Sequence, residues 1–177
     1  MRRDRRSALL LLAGGGMAVL PGCGFEPIHA RPHAENAVAR NLAAIRVAGI
    51  GEGRERRIGQ ILRNELIDRL TAGVGRQAER YTLAIDIERS TAALQVQTND
   101  TVTRYNLSLR ATFVLRDSQT EEVLHDGTAH ASGSYDVVES EYATLVAEEN
   151  TAREVARDLS NTIANLLALH FVRNRDA

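Results

Sequence analysis

The one side chain in this sequence with an evident covalent chemistry is the thiol of Cys23, the single cysteine among 177 residues. A lone thiol has no partner for an intramolecular disulfide, and its place in the chain points to acylation instead. Arg2, Arg3, Arg5 and Arg6 form a positive start, and Ala8 to Leu20 is an apolar run loosened by Gly14, Gly15 and Gly16. Pro21 and Gly22 then lead into the cysteine. This is the layout of a secretory signal, and a cysteine at its end can become an acylated N-terminus after cleavage. The apolar run is too short to span a bilayer comfortably, so residues 1–22 read as a signal peptide and Cys23 as the lipidation site. A single acyl chain anchors a protein only marginally, so stable attachment at Cys23 calls for further chains or a second signal.

The other candidates for chemistry are poor. Ser132-Gly133-Ser134 lacks the Gly-x-Ser-x-Gly elbow of a hydrolase nucleophile. His125 and His130 are five apart on a predicted strand, which puts them on opposite faces and argues against joint metal binding. His29 and His33 fall in a segment without periodicity, and His170 lies on the apolar side of the last predicted helix, where it reads as a core residue. No phosphate loop is present. The sequence therefore predicts no enzyme, no metal and no cofactor.

What remains is arginine. The chain has 22 Arg and no Lys, so any phosphate it meets is met by a planar, bidentate guanidinium. The formal charge of the whole chain is −1. Losing the signal removes Arg2, Arg3, Arg5 and Arg6 against a single acid, Asp4, and leaves the remainder more acidic. That balance excludes a nucleic-acid binder that works by bulk charge. Aromatic residues make up only 4% of the chain, which predicts a core built from Leu, Ile, Val and Ala.

The elements that must position these side chains follow from periodicity. Residues 23–41, with Pro27 and Pro32 and no clear period, read as a lipidated tether. Leu42 to Ile50 suits a first strand, and Ile58, Ile61, Leu62, Leu66 and Leu70 recur at helical spacing within Arg54 to Ala72. Arg54, Arg56 and Arg57 crowd the first turn of that helix, where the dipole disfavours cations; they are either solvated or form an anion or partner site. Tyr81, Leu83, Ile85 and Ile87 alternate with polar residues in a second strand that continues through a bulge toward Gln97. After a turn at Thr98 to Thr101, Tyr105, Leu107, Leu109, Ala111, Phe113 and Leu115 alternate with Arg104, Asn106, Ser108, Arg110, Thr112 and Val114. A fourth strand, Val123 to Tyr135, carries Gly127, Ala129, Ala131 and Gly133 on one face with Val123 and Tyr135, leaving room for a helix to approach closely.

Ser140 can cap a last helix whose apolar residues run from Val146 to His170. Roughly 28 residues would reach about 40 Å, so this helix either bends near Asn150-Thr151 or projects at one end. Residues 173–177 read as a frayed tail. The predicted class is α+β, with order β-α-β-β-β-α: two helices packed on one face of a roughly four-stranded mixed sheet, forming one domain over residues 42–172. With Tyr105, Leu107 and Leu109 toward the helices, Arg104, Asn106, Ser108, Arg110, Thr112 and Arg116 face the other way. That face is either merely solvated or uses Arg104 and Arg110, about 20 Å apart at strand spacing, to bind phosphates or a polar partner.

The opening Cys23-Gly24-Phe25-Glu26-Pro27-Ile28-His29 resembles the Cys-Gly-Phe-x-Pro-Leu/Ile-Tyr start of the LptE family, with His29 where that family commonly has Tyr. The similarity extends to the Arg-rich loop before Gln60 to Leu66, to Tyr105-Asn106-Leu107 and to Ser140-Glu141-Tyr142-Ala143. The resemblance implies an α+β domain and an outer-membrane lipoprotein of lipopolysaccharide assembly and export. It implies a partner and plug of the LptD β-barrel that binds lipopolysaccharide, for which Arg104 and Arg110, read from the strand alternation, are the candidate contacts. Gly24, in place of the aspartate that retains lipoproteins in the inner membrane, implies the periplasmic side of the outer membrane. An accessory lipoprotein of phospholipid transport, lipid-anchored in the same way, is the alternative.

Overall fold

The computed structural model describes residues 32–51, 55–96 and 102–174. Its elements are α1 (Pro32–Ala43), β1 (Ile45–Val47), α2 (Arg56–Leu70), β2 (Tyr81–Val96), β3 (Val102–Asp117), β4 (Val123–Asp136) and α3 (Glu141–Arg173). The α+β class and the order from β1 onward are those predicted, and α1 is additional. The expected signal peptide, Cys23 with the expected tether up to residue 31, Arg54 and the expected turn at Asn99-Asp100 lie outside the described residues.

Helix α1 replaces the last part of the expected tether. Pro32 stands at the first helical position, where a missing N–H costs nothing, and Ala34, Ala37, Ala39 and Ala43 favour the helix. Val38 and Leu42, four apart, pack together against the core. Ala43, at the end of the helix, is buried as well.

The sheet order is β1-β2-β3-β4, with β1 parallel to β2 and the other pairs antiparallel. The parallel pair requires a crossover, which α2 supplies; the remaining strands are joined as hairpins. On β3 the side chains of Leu107, Leu109, Ala111, Phe113 and Leu115 are fully buried. They join Leu83, Ile85 and Ile87 of β2, Leu62 and Leu66 of α2, and Val155, Leu159, Ile163 and Leu167 of α3 in one cluster. Both predicted helices therefore cover a single face of the sheet. Between the helices, Arg69 Nε donates to the buried Ser160 Oγ at 2.9 Å, and Ser160 Oγ donates to the Arg157 carbonyl at 2.7 Å. Such satisfaction is what burying a hydroxyl requires.

Three local readings change. Strand β1 has only three residues: α1 takes the chain to Ala43, and beyond Val47 the chain turns away, with Gly51 at φ +70. There a Cβ on Gly59 would lie 2.0 Å from the Ile50 carbonyl oxygen, so only glycine fits. Next, Val123 does not share the core face of β4. The register passes from Leu115↔His125 to Arg116↔Val123, so Leu124 is the extra residue of a bulge and turns inward, while Val123 is 47% exposed. Finally, α3 is one unbroken helix of 33 residues, about 50 Å long, and its buried residues begin at Thr151. Its N-terminal end projects, leaving Tyr142 and Leu145 exposed. Ser140 caps it by accepting from the Ala143 N–H at 3.4 Å.

Candidate functional site

The face of the sheet opposite the helices is set by parity: every even-numbered residue from Ala84 to Ala92 on β2 has its side chain there, with the matching residues of β3 and β4. The register gives its rows. Asp86 lies beside Thr112 and Thr128, Glu88 beside Arg110 and His130, and Ser90 beside Ser108 and Ser132. The face is thus rich in hydroxyls, with Glu88, Arg110 and His130 sharing one row, Asp86 in the next and the Arg104–Asp136 pair further along. Along the β2 side it opens into a groove of about 1140 Å³ bordered by Gly49, Gly51, Arg56, Glu88, Arg110 and His130.

The two candidate arginines share this face but not their state. Arg104 is paired in register with Asp136, and two hydrogen bonds close the fork: Nε to Oδ1 at 2.7 Å and Nη2 to Oδ2 at 3.2 Å. That bond, with the charge of the partner, raises the pKa of Arg104 and lowers that of Asp136. Arg110 is exposed, and among the described residues no carboxylate lies within ion-pair distance of it. Its guanidinium is the one of the pair left available to an outside anion.

Of the Arg54, Arg56 and Arg57 group, Arg57 pairs with Glu149 of α3 at 3.1 Å and Arg56 borders the groove. No acid occupies the first turn of α2, and Glu149 brings a negative charge to it from a neighbouring helix. His125 and His130 are on opposite faces as predicted. His130 borders the polar groove, while the His125 ring stacks on His170 at 4.8 Å between ring centres, beside Phe113. Burial and then the neighbouring His125 hold the His170 pKa below its ordinary value.

Neither Arg89 nor Glu148 stands out in the sequence. Arg89 is odd-numbered and so points to the helix side, where it forms a half-buried ion pair with Glu148 of α3. Its parity is the signal that could have found it, since an arginine in phase with Ile85 and Ile87 must have a partner. Glu148 also approaches Tyr135, whose ring stacks on Tyr105 at 5.8 Å and whose pKa is raised first by burial. This polar layer closes the core beneath the projecting end of α3. Among the described residues, no three His, Cys, Asp or Glu side chains gather as a metal site. No described helix is long and apolar enough to cross a membrane. A bidentate cation on a hydroxyl-rich face, next to an open groove, can hold an anion or a polar partner.

Comparison with known proteins agrees with this architecture. A search of curated proteins finds no match. A Caulobacter crescentus CB15 protein of known structure is 24% identical, with 78% of this chain and 97% of that one covered and a TM-score of 0.61. Rare lipoprotein B from Shewanella oneidensis is 15% identical over 73% of this chain and 99% of that one, TM-score 0.53. A minor lipoprotein from Acinetobacter baumannii is 19% identical over 72% and 92%, TM-score 0.52. At these identities the likeness establishes the fold. The family model described as LptE, lipopolysaccharide-assembly, matches residues 42–167, which takes in every strand and nearly all of α3. This chain belongs to the LptE family of lipopolysaccharide-assembly lipoproteins.

Proposed function

We propose that this protein is an outer-membrane lipoprotein, anchored through Cys23 on the periplasmic side, that acts in lipopolysaccharide export as the partner and plug of an LptD-type β-barrel. The observation that carries this reading is the family match over residues 42–167. The physical features are consistent with it. A domain of about 150 residues has an expected radius of gyration near 15 Å, which only a wide barrel admits. A sheet with one hydroxylated, charged face suits a hydrated lumen. The role is contact without turnover, with lipopolysaccharide phosphates meeting Arg110 and, once it is released from Asp136, Arg104.

Photo-crosslinkers at Ser108 and Thr112, on the polar face, should capture a large β-barrel protein from the envelope. Depletion should lower the assembled barrel and surface lipopolysaccharide together. Cys23→Ser should release the protein from the membrane or leave the signal uncleaved. Capture of an inner-membrane transporter instead, with surface lipopolysaccharide intact, would replace this reading with an accessory lipoprotein of phospholipid transport.

A further inference from the structure

The three residues of β1 cover only the first residues of β2. Tyr81 N–H donates to the Ala44 carbonyl at 3.2 Å, and Leu83 C=O accepts from Ala48 N–H at 2.9 Å, so the odd-numbered residues of β2 direct their backbone groups toward β1. Beyond Leu83 the chain has left the sheet, turning away with Gly51 at φ +70. Among the described residues, the outward N–H and C=O groups of Ile85, Ile87, Arg89 and Thr91 then have no neighbouring strand, and no other backbone group bonds to them. An exposed row of this kind is a template for another strand.

Among the described residues, an open groove lies beside this edge. The groove of about 1140 Å³ runs along Ile85 to Ser90, in line with the end of β1, and a Cβ on Gly49 meets no atom within 4 Å. Its two sides differ. Toward the helices lie the buried Ile85 and Ile87 and the half-buried Arg89, which Glu148 neutralises; toward the polar face the edge itself carries Asp86 and Glu88, with Arg110 and His130 one and two strands further in and Arg56 bordering the groove from α2. A strand added here would therefore place alternate side chains against an aliphatic wall and against two carboxylates. A second copy of this edge is a poor occupant. Antiparallel pairing about Ile87 would set Asp86 beside the other copy's Glu88, and like charges directly opposite are destabilising.

We infer that the free edge of β2 from Ile85 to Thr91 is a docking site for an extended segment of a partner protein. The segment is added as a strand, with aliphatic residues facing α2 and basic residues facing Asp86 and Glu88. Backbone hydrogen bonds supply the affinity and the alternation supplies register and choice of partner. The inference stands on the edge and its charges, and is independent of any lipopolysaccharide contact.

The probe is a synthetic peptide of roughly ten residues alternating valine with lysine, added to the full-length protein in detergent micelles. Amide hydrogen exchange at Ile85, Ile87 and Arg89 should be fast in the free protein and slowed at least about tenfold by the peptide. N-methylation of the peptide at alternate residues should abolish the effect in one phase, where the methyl groups face β2, and leave it intact in the other. Asp86→Asn with Glu88→Gln should weaken the peptide about tenfold, with unchanged thermal stability. Equal binding by both N-methylated peptides would overturn the inference. So would protection along the β4 edge alone, or protection of the β2 amides by self-association without peptide.

Discussion

A Cβ placed on Gly133 of β4 would stand 3.0 Å from Val155 Cγ2 and 3.0 Å from Thr151 Cγ2, so α3 rests on bare backbone at this point. Gly133→Leu should force helix and sheet apart at the first buried turns of α3. The expected cost is about 1–3 kcal/mol, read as a lower melting temperature. Ser132→Ala, one residue away on the polar face, should leave the melt unchanged. A Gly133→Leu protein as stable as the parent would mean that α3 does not lie there.

Leu109 and Arg110 are neighbours on opposite faces of β3. Leu109→Ala should cost about 2–5 kcal/mol, because Leu109 is fully buried between the sheet and its helices and the cavity cannot collapse. Arg110→Ala, on an exposed side chain, should stay within about 0.5 kcal/mol. Urea unfolding of the two variants provides the comparison, and equal losses would reverse the assignment of faces.

The burial of His170 against the His125 ring should make the fold sensitive to acid. The folded-state pKa of His170 is depressed from its ordinary 6.5, first by burial and then by His125, so the folded form prefers the neutral ring. Its contribution to stability is complete above the unfolded value and is lost as pH falls through the folded one. The melting temperature should therefore drop on acidification from roughly pH 7 to 5, and His170→Phe, which keeps a ring beside His125, should flatten that drop. An identical pH profile in the variant would assign the acid sensitivity to other groups.

Arg110 should carry more of any lipopolysaccharide binding than Arg104, because Asp136 already occupies both arms of the Arg104 fork. Arg110→Gln should weaken binding more than Arg104→Gln. The double change to Glu should abolish it while the melting temperature holds, and Asp136→Asn, which frees Arg104, should strengthen it. Full binding by a folded double variant would move the contact away from this face.

Much of the fold is legible in the sequence because it rests on properties of near neighbours. The alternation from Tyr105 to Leu115 assigns each side chain of β3 to a face, since the strand period is two. The helical spacing of Ile58, Leu62, Leu66 and Leu70 does the same for α2, and Ser140 announces the start of α3. The polar sheet face, with Arg104 and Arg110 on it, follows from that parity alone. The remainder depends on residues far apart in the chain. Arg104 and Asp136 are 32 positions apart and meet only through the β3–β4 register. Arg89 finds Glu148 only when α3 is laid over β2, and Val38 and Leu42 make α1 a packed helix only because a core lies beneath them. The bulge at Leu124 reverses the parity of Val123, which no local pattern announces. Tertiary structure alone decided which arginine is held, where the β2 edge is bare and which end of α3 projects. Hydrogen-bond register and ion pairing are set by distances across the fold, whereas periodicity and capping are set within a few residues of chain.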